Sequence, residues 1–104
     1  MDKFGLTSDT IEIINNLFKK FIQINEVKIF GSRARGNFKP TSDIDFALYG
    51  ENIDDKLIRH ISAELDELPT PYKFDILDYN SINNSLLRAS IDEIGKTFYK
   101  RGGI

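Results

Sequence analysis

The stretch from Gly31 to Asp45 reads GSRARGNFKPTSDID, and the interpretation of the whole chain depends on it. A Gly-Ser pair opens the stretch, ten residues follow, and two aspartates separated by one residue close it. The pair follows the apolar run VKIF at Val27–Phe30, so we expect a turn with a hydroxyl and free backbone N–H groups at the end of a short strand. Such a turn can hold a phosphate group.

The two aspartates lie in SDIDFAL, an alternating stretch that predicts a strand. Alternation sends Asp43 and Asp45 to one face of the strand and the apolar side chains to the other. Two carboxylates at positions i and i+2 are about 7 Å apart along a strand. At that separation they can share divalent cations.

Length and composition define the class of protein. The chain has 104 residues, 40% of them hydrophobic and 29% charged, which predicts one globular domain spanning residues 1–104. A net charge of -2 argues against general nucleic-acid binding. The absence of cysteine excludes disulfides and thiol catalysis, and the single histidine excludes a zinc site with several histidines from one chain. With neither an apolar signal region nor a membrane span in the sequence, the chain is expected in the cytoplasm.

Hydrophobic spacing predicts alternating strands and helices along the chain. The first helix is expected to start near Thr7 to Asp9, with Asp9 and Glu12 at capping-box spacing. The later elements are strand Val27–Phe30, a helical turn after Ser32, strand Ile44–Tyr49, a crossover helix carrying Leu57 to Leu65, strand Tyr72–Leu77, and a last helix from Ser81 to Tyr99. Arg101 to Ile104 are expected to fray.

A third acid, Asp75, stands inside the apolar strand Tyr72–Leu77. If this strand neighbours the one carrying Asp43 and Asp45, the three carboxylates converge and repel one another unless a cation neutralises them. Convergence therefore implies Mg²⁺ or another hard divalent ion, and Mg²⁺ suggests a nucleoside triphosphate. Asp78 alternates to the opposite face from Asp75, which favours a turn or a helix cap before Ser81.

Three basic residues, Arg33, Arg35 and Lys39, separate the turn from the acids. They are suitably placed to neutralise a triphosphate or a departing pyrophosphate. Arginines in a loop are also commonly solvated, so both interpretations of Arg33 and Arg35 remain open from the sequence.

Together, these residues resemble the nucleotidyltransferase superfamily that includes DNA polymerase beta. The short chain is similar to the minimal nucleotidyltransferase (MNT) proteins, which often act as antitoxins beside HEPN-domain toxins, and the resemblance runs from about Thr7 to Tyr99. It implies an α/β (α+β) fold, a small mixed β-sheet flanked by helices with a polymerase-beta-like nucleotidyltransferase core. It also implies the site residues: Asp43 and Asp45 as catalytic metal ligands, Asp75 as third ligand or general base, and Gly31 and Ser32 on the β- and γ-phosphates.

For the antitoxin branch, the resemblance implies Mg²⁺-dependent transfer of AMP from ATP to a tyrosine hydroxyl of a partner HEPN toxin, with two Mg²⁺ ions. Two alternatives remain. The chain could neutralise its partner by masking it without catalysis, or it could modify a small molecule with the help of a companion subunit, because 104 residues leave no room for an added substrate domain.

Overall fold

A four-stranded mixed sheet organises the computed structural model, which describes residues 3–102. The strand order is β3-β2-β1-β4; β1 runs antiparallel to β2 and to β4, and β3 runs parallel to β2. The elements are α1 (Ser8–Lys19), β1 (Ile24–Phe30), α2 (Gly31–Arg35), β2 (Ile44–Gly50), α3 (Asp55–Asp66), β3 (Phe74–Asp78), a 3₁₀ turn (Tyr79–Ser81), α4 (Ser85–Ile94) and β4 (Lys96–Lys100). The predicted mixed sheet flanked by helices is confirmed.

The main core lies between one face of the sheet and the helices α1 and α3. Phe46 of β2 packs edge-on against Phe18 of α1, with ring centroids 5.3 Å apart. The buried partners from both helices and the sheet include Ile14, Leu17, Val27, Ile29, Ile44, Leu48, Ile61 and Leu65. Helix α4 packs on the opposite face, where Ile91 and Ala47 are buried. Asp45, which lies between the core residues Ile44 and Phe46 on β2, therefore points away from the main core.

The first helix starts inside the predicted range, but its cap differs from the predicted one. Thr7 is the N-cap, and its hydroxyl accepts a hydrogen bond from the Thr10 N–H at 3.2 Å. The predicted crossover helix is also found, as α3, and Asp54 caps it by accepting from the Leu57 N–H at 2.8 Å. None of the helices within residues 3–102 is long and apolar enough to cross a membrane.

The prediction of one last helix from Ser81 to Tyr99 is wrong at both ends. The helix begins only after Asn84, whose side-chain oxygen accepts from the N–H groups of Leu86 and Leu87. It ends at Gly95, and the following residues, KTFYK, form β4 because the edge of β1 offers them a partner strand. Asp78 caps the 3₁₀ turn by accepting from Asn80 N–H and Ser81 Oγ–H, as predicted.

The predicted fraying is wrong for Arg101. Its backbone N–H donates to the Asn25 carbonyl at 2.8 Å, and its guanidinium donates to the carbonyls of Ile24 and Phe21 at 2.9 and 2.6 Å. This arginine fastens the end of β4 to the turn between α1 and β1. Gly103 and Ile104, which the same prediction covered, lie outside the described residues.

Candidate active site

Strand pairing brings the predicted acids and the Gly-Ser turn to one end of the sheet. In the parallel pair β2–β3, Asp45 is the direct partner of Asp75. In the antiparallel pair β1–β2, Asp45 is also the partner of Phe30, which immediately precedes Gly31. Because neighbouring strands are about 4.8 Å apart, the turn, Asp45 and Asp75 form a row across three strands. Asp43 lies two residues before Asp45, in the loop that leads into β2.

Gly31 fits against Asp45 as only a glycine can. Its φ of +72° is in the left-handed region, and a Cβ built on it would collide with Oδ2 of Asp45. The backbone of the turn therefore passes directly over the carboxylate. Ser32 follows in the first turn of α2, half-buried beside this contact.

Asp45 is the acid of this site whose pKa is shifted by the folded structure. Burial above all, together with the negative charges of Asp75 and Asp43, raises the pKa of its carboxyl from 3.8 to about 6. Asp43 and Asp75 themselves are exposed. The site thus holds one partly desolvated carboxylate next to two solvated ones, which favours a bound cation or a bound proton.

The raised pKa of Asp45 predicts a pH dependence of stability. Because the folded protein holds this proton more tightly than the unfolded chain, the proton stabilises the fold below pH 4, and the gain is lost as the pH rises through about 6. We expect the free energy of unfolding of the wild type to fall by about 1 kcal/mol relative to Asp45→Asn between pH 4 and pH 7, with solvent screening of this half-exposed group taken into account. Urea unfolding of both proteins across that range measures the difference. Parallel curves would contradict the prediction.

A three-ligand metal cluster is not preassembled in this site. Within residues 3–102, no three side chains of the His, Cys, Asp and Glu types lie close enough together to hold a metal ion. The donor chemistry nevertheless fits a hard cation, because all the candidate ligands are carboxylates and the partly buried one carries uncompensated charge. Strand pairing places Asp75 beside Asp45, and the side chains of Asp43 and Asp75 are exposed.

Arg33 does not join the acids. It is only 2% exposed, and its guanidinium donates to the backbone carbonyls of Ser42, Phe4 and Pro40 at 2.9 to 3.2 Å. The rings of Phe38 and Tyr72 lie 5.2 and 5.0 Å from the guanidinium carbon. Arg33 therefore holds the loop that carries Asp43.

Arg35 and Lys39, by contrast, are exposed. The sequence pattern does not distinguish the two arginines, but the short helix α2 places them in different environments. It turns Arg33 inward and leaves Arg35 at the surface.

Sequence analysis missed an aromatic stack on the acid-bearing face of the sheet. The rings of Tyr49 and Tyr79 stack with centroids 4.5 Å apart, and the Tyr79 hydroxyl donates to Asp92 of α4. Lys28 lies over Tyr49 and Arg88 lies over Tyr79, at 5.4 and 4.5 Å from the ring centroids. The alternation of β1 is the signal that could have placed Lys28 on this face. The stack and the Tyr79–Asp92 hydrogen bond anchor α4 to this face of the sheet.

The Gly31-Ser32 turn against Asp45, the pairing of Asp45 with Asp75 and the four-stranded mixed sheet form the arrangement expected from the resemblance to nucleotidyltransferases. A family model described as Polymerase beta, Nucleotidyltransferase matches residues 12–102, and the chain belongs to this family. The predicted family resemblance is confirmed.

Among individual proteins, the chain is similar to the Probable protein adenylyltransferase MntA of Haemophilus influenzae. The two are 29% identical over 78 residues, which are 74% of this chain and 68% of that protein. A chain of a toxin–antitoxin complex solved with AMP-PNP has a TM-score of 0.66 at 21% identity, over 88% of this chain and 74% of its own length. A chain of the complex between the tri-AMPylated Shewanella oneidensis HEPN toxin and an MNT antitoxin has a TM-score of 0.54 at 19% identity, over 86% of this chain and 72% of its own length. The two structural matches show that the fold is shared.

Proposed function

We propose that this chain transfers AMP from ATP to a tyrosine hydroxyl of a HEPN-domain toxin and thereby acts as its antitoxin, with Mg²⁺ as the metal. The observation that carries the proposal is the pairing of Asp45 with Asp75 beside the Gly31-Ser32 turn. Nucleotidyl transfer requires phosphates held in place and a hydroxyl aimed at the α-phosphorus, and this row of groups can supply both. We also propose that both proteins reside in the cytoplasm, where ATP is available.

The phosphate contacts are assigned to the turn. The backbone of Gly31 and the hydroxyl of Ser32 would hold the β- and γ-phosphates. Arg35, exposed on α2, would neutralise the phosphates or the departing pyrophosphate. Arg33 is assigned to the loop instead, because its guanidinium is buried among three backbone carbonyls.

The metal contacts are assigned to Asp43, Asp45 and Asp75, as ligands of two Mg²⁺ ions. When bound, Mg²⁺ neutralises triphosphate charge and lowers the pKa of the attacking hydroxyl. The chain's own contribution is to keep a partly buried carboxylate, Asp45, between two exposed ones, so that charge is concentrated where a cation can relieve it.

The reaction forms one bond and breaks one. The tyrosine oxygen attacks the α-phosphorus of ATP, the bond to the β-phosphate oxygen breaks, and pyrophosphate leaves with the electron pair of that bond. The phenolic proton passes to a carboxylate, for which Asp75 is the candidate because it is exposed on the outer strand β3. A tyrosine hydroxyl has a reference pKa near 10 and needs such a base at neutral pH.

The names of relatives support this choice of acceptor. The Haemophilus influenzae relative is named as a probable protein adenylyltransferase, and the HEPN toxin in the Shewanella oneidensis complex is tri-AMPylated. The complex solved with AMP-PNP, an analogue of ATP, supports the choice of nucleotide.

The proposal predicts a gain of mass on the partner. After incubation of this chain with ATP, Mg²⁺ and a partner HEPN-domain protein, we expect the intact mass of that protein to rise by whole AMP units. A control without Mg²⁺ should show no gain. Stable binding with no gain in mass would instead support neutralisation by masking. Labelling of a small hydroxyl compound in place of the protein would support a small-molecule transferase.

A further inference from the structure

A groove lies at the end of β3, between the start of α3 and the segment that leads into α4. It encloses about 410 Å³. Its apolar lining includes Ile58 from α3, Ile76 and Leu77 from β3, and Ile82 and Leu87 from the segment around α4. We call it the β3 groove.

A large apolar side chain stands exposed next to this groove. Leu86, in the first turn of α4 and adjacent to Leu87, is 82% exposed. The other large hydrophobic side chain exposed to this degree among the described residues is Ile22, at 79%, in the turn between α1 and β1. An apolar side chain beside a partly apolar groove is the pattern of a protein-binding surface.

The charged side chains that line the groove are all acidic. Asp54, Asp55 and Asp78 line it, and no lysine or arginine of residues 3–102 does so. Asp54 and Asp78 already cap their own helices, whereas Asp55 is exposed at the start of α3. An occupant with positive charge is therefore favoured over an acidic one.

The groove begins on β3 close to the candidate active site. Leu77 lines the groove and lies two residues after Asp75, on the same face of β3, about 7 Å along the strand. Strand β3 is an outer strand of the described sheet, so no further strand of that sheet blocks a protein from binding along it. A protein bound in the groove would therefore contact β3 within two residues of Asp75.

We propose that the β3 groove is the docking surface for the acceptor protein. It takes a basic segment with one large apolar anchor, and this segment delivers the acceptor hydroxyl to Asp75. This inference rests on the proposed function, since it assigns to the acceptor toxin a surface beside the acids. Leu86 contacts the apolar anchor, and Asp55 pairs with the basic residues.

Two variants and two matched controls test the proposal. Leu86→Asp introduces a charge at the exposed apolar position beside the groove. Its control, Ile22→Asp, introduces the same charge at the exposed apolar position away from the groove. Asp55→Lys reverses the charge at the first residue of α3. Its control, Asp66→Lys, makes the same charge reversal at the last residue of that helix. The measurements are the Kd of the chain for the partner HEPN-domain protein without ATP, the KM for that protein during AMP transfer, and the Kd for AMP-PNP alone.

We expect Leu86→Asp and Asp55→Lys each to raise the Kd and the KM for the acceptor at least about tenfold, as substitutions at the centre of an interface do. The Kd for AMP-PNP should not change, and the two controls should behave as the wild type. Unchanged acceptor Kd in both groove variants would overturn the proposal, as would no binding by the wild type. Self-association of the wild type that Leu86→Asp abolishes would also overturn it, in favour of a second copy. Wild-type binding without AMP transfer would refute the proposed function, while the Kd values would still test the docking surface.

Discussion

Replacing both Asp43 and Asp45 by asparagine should abolish AMP transfer, with a loss of at least about a thousandfold, and leave the protein folded. Such a loss corresponds to about 4 kcal/mol of transition-state stabilisation. Asparagine keeps the shape of the side chain and removes the negative charge that the proposed metal requires. Transfer of label from α-phosphate-labelled ATP to the HEPN-domain protein measures the effect. The single substitution Asp75→Asn should also reduce AMP transfer.

The fold of this double variant should be intact because Asp43 is exposed in the loop before β2 and because asparagine keeps the shape of both side chains. The raised pKa of Asp45 means that its charge is unfavourable in the folded state, so its removal relieves repulsion at neutral pH. Asp66→Asn, at the exposed end of α3, is the matched control and should transfer AMP normally. Full transfer by the Asp43/Asp45 double variant would refute the assignment of the site.

Arg33→Met should cost about 3 kcal/mol of the free energy of unfolding, a large part of a total that is typically about 5 to 15 kcal/mol. Methionine keeps the length of the side chain but donates no hydrogen bond. The change leaves the part-buried carbonyls of Phe4, Pro40 and Ser42 without the donors they now have. Urea unfolding at pH 7 measures the loss.

Arg33→Lys should recover only part of this stability, because an ammonium group cannot match the planar fork that reaches three carbonyls. Arg35→Met is the control, since an exposed side chain on the same short helix should change stability by less than about 0.5 kcal/mol. If Arg33→Met unfolded like the wild type and lost affinity for AMP-PNP, the residue would contact phosphate and our assignment to the loop would be wrong.

Local pattern in the sequence was enough to predict the faces of the strands around the acids. The alternation of SDIDFAL put Asp45 on the face opposite Phe46, and in the structure Phe46 is buried in the core while Asp45 is only half-buried. The partnership of Asp45 with Asp75 required the additional assumption that β2 and β3 are neighbours, which the crossover through α3 made reasonable. The rise in the pKa of Asp45 is caused first by burial, which no local pattern could predict, and then by the charges of Asp75 and Asp43, whose repulsion follows once β2 and β3 are taken as neighbours.

The end of the chain was mispredicted because two patterns coincide there. Ile91, Ile94 and Phe98 have helical spacing, although Phe98 belongs to β4. A single glycine, Gly95, separates the two elements, and one glycine is a weak helix terminator by itself. The open edge of β1 decides the outcome, and that edge exists only once the rest of the sheet is in place.

Because β4 lies near the end of the chain, β1 cannot pair with it until translation is almost complete. Glu26 and Thr97, whose side chains are hydrogen-bonded across these strands, are 71 residues apart in the chain. Until β4 and Arg101 have been synthesised, β1 has an unpaired edge and the carbonyls of Phe21 and Ile24 lack their arginine donor. An unpaired strand edge can recruit other chains. Truncated or stalled translation products that lack these last residues should therefore be prone to aggregation and proteolysis.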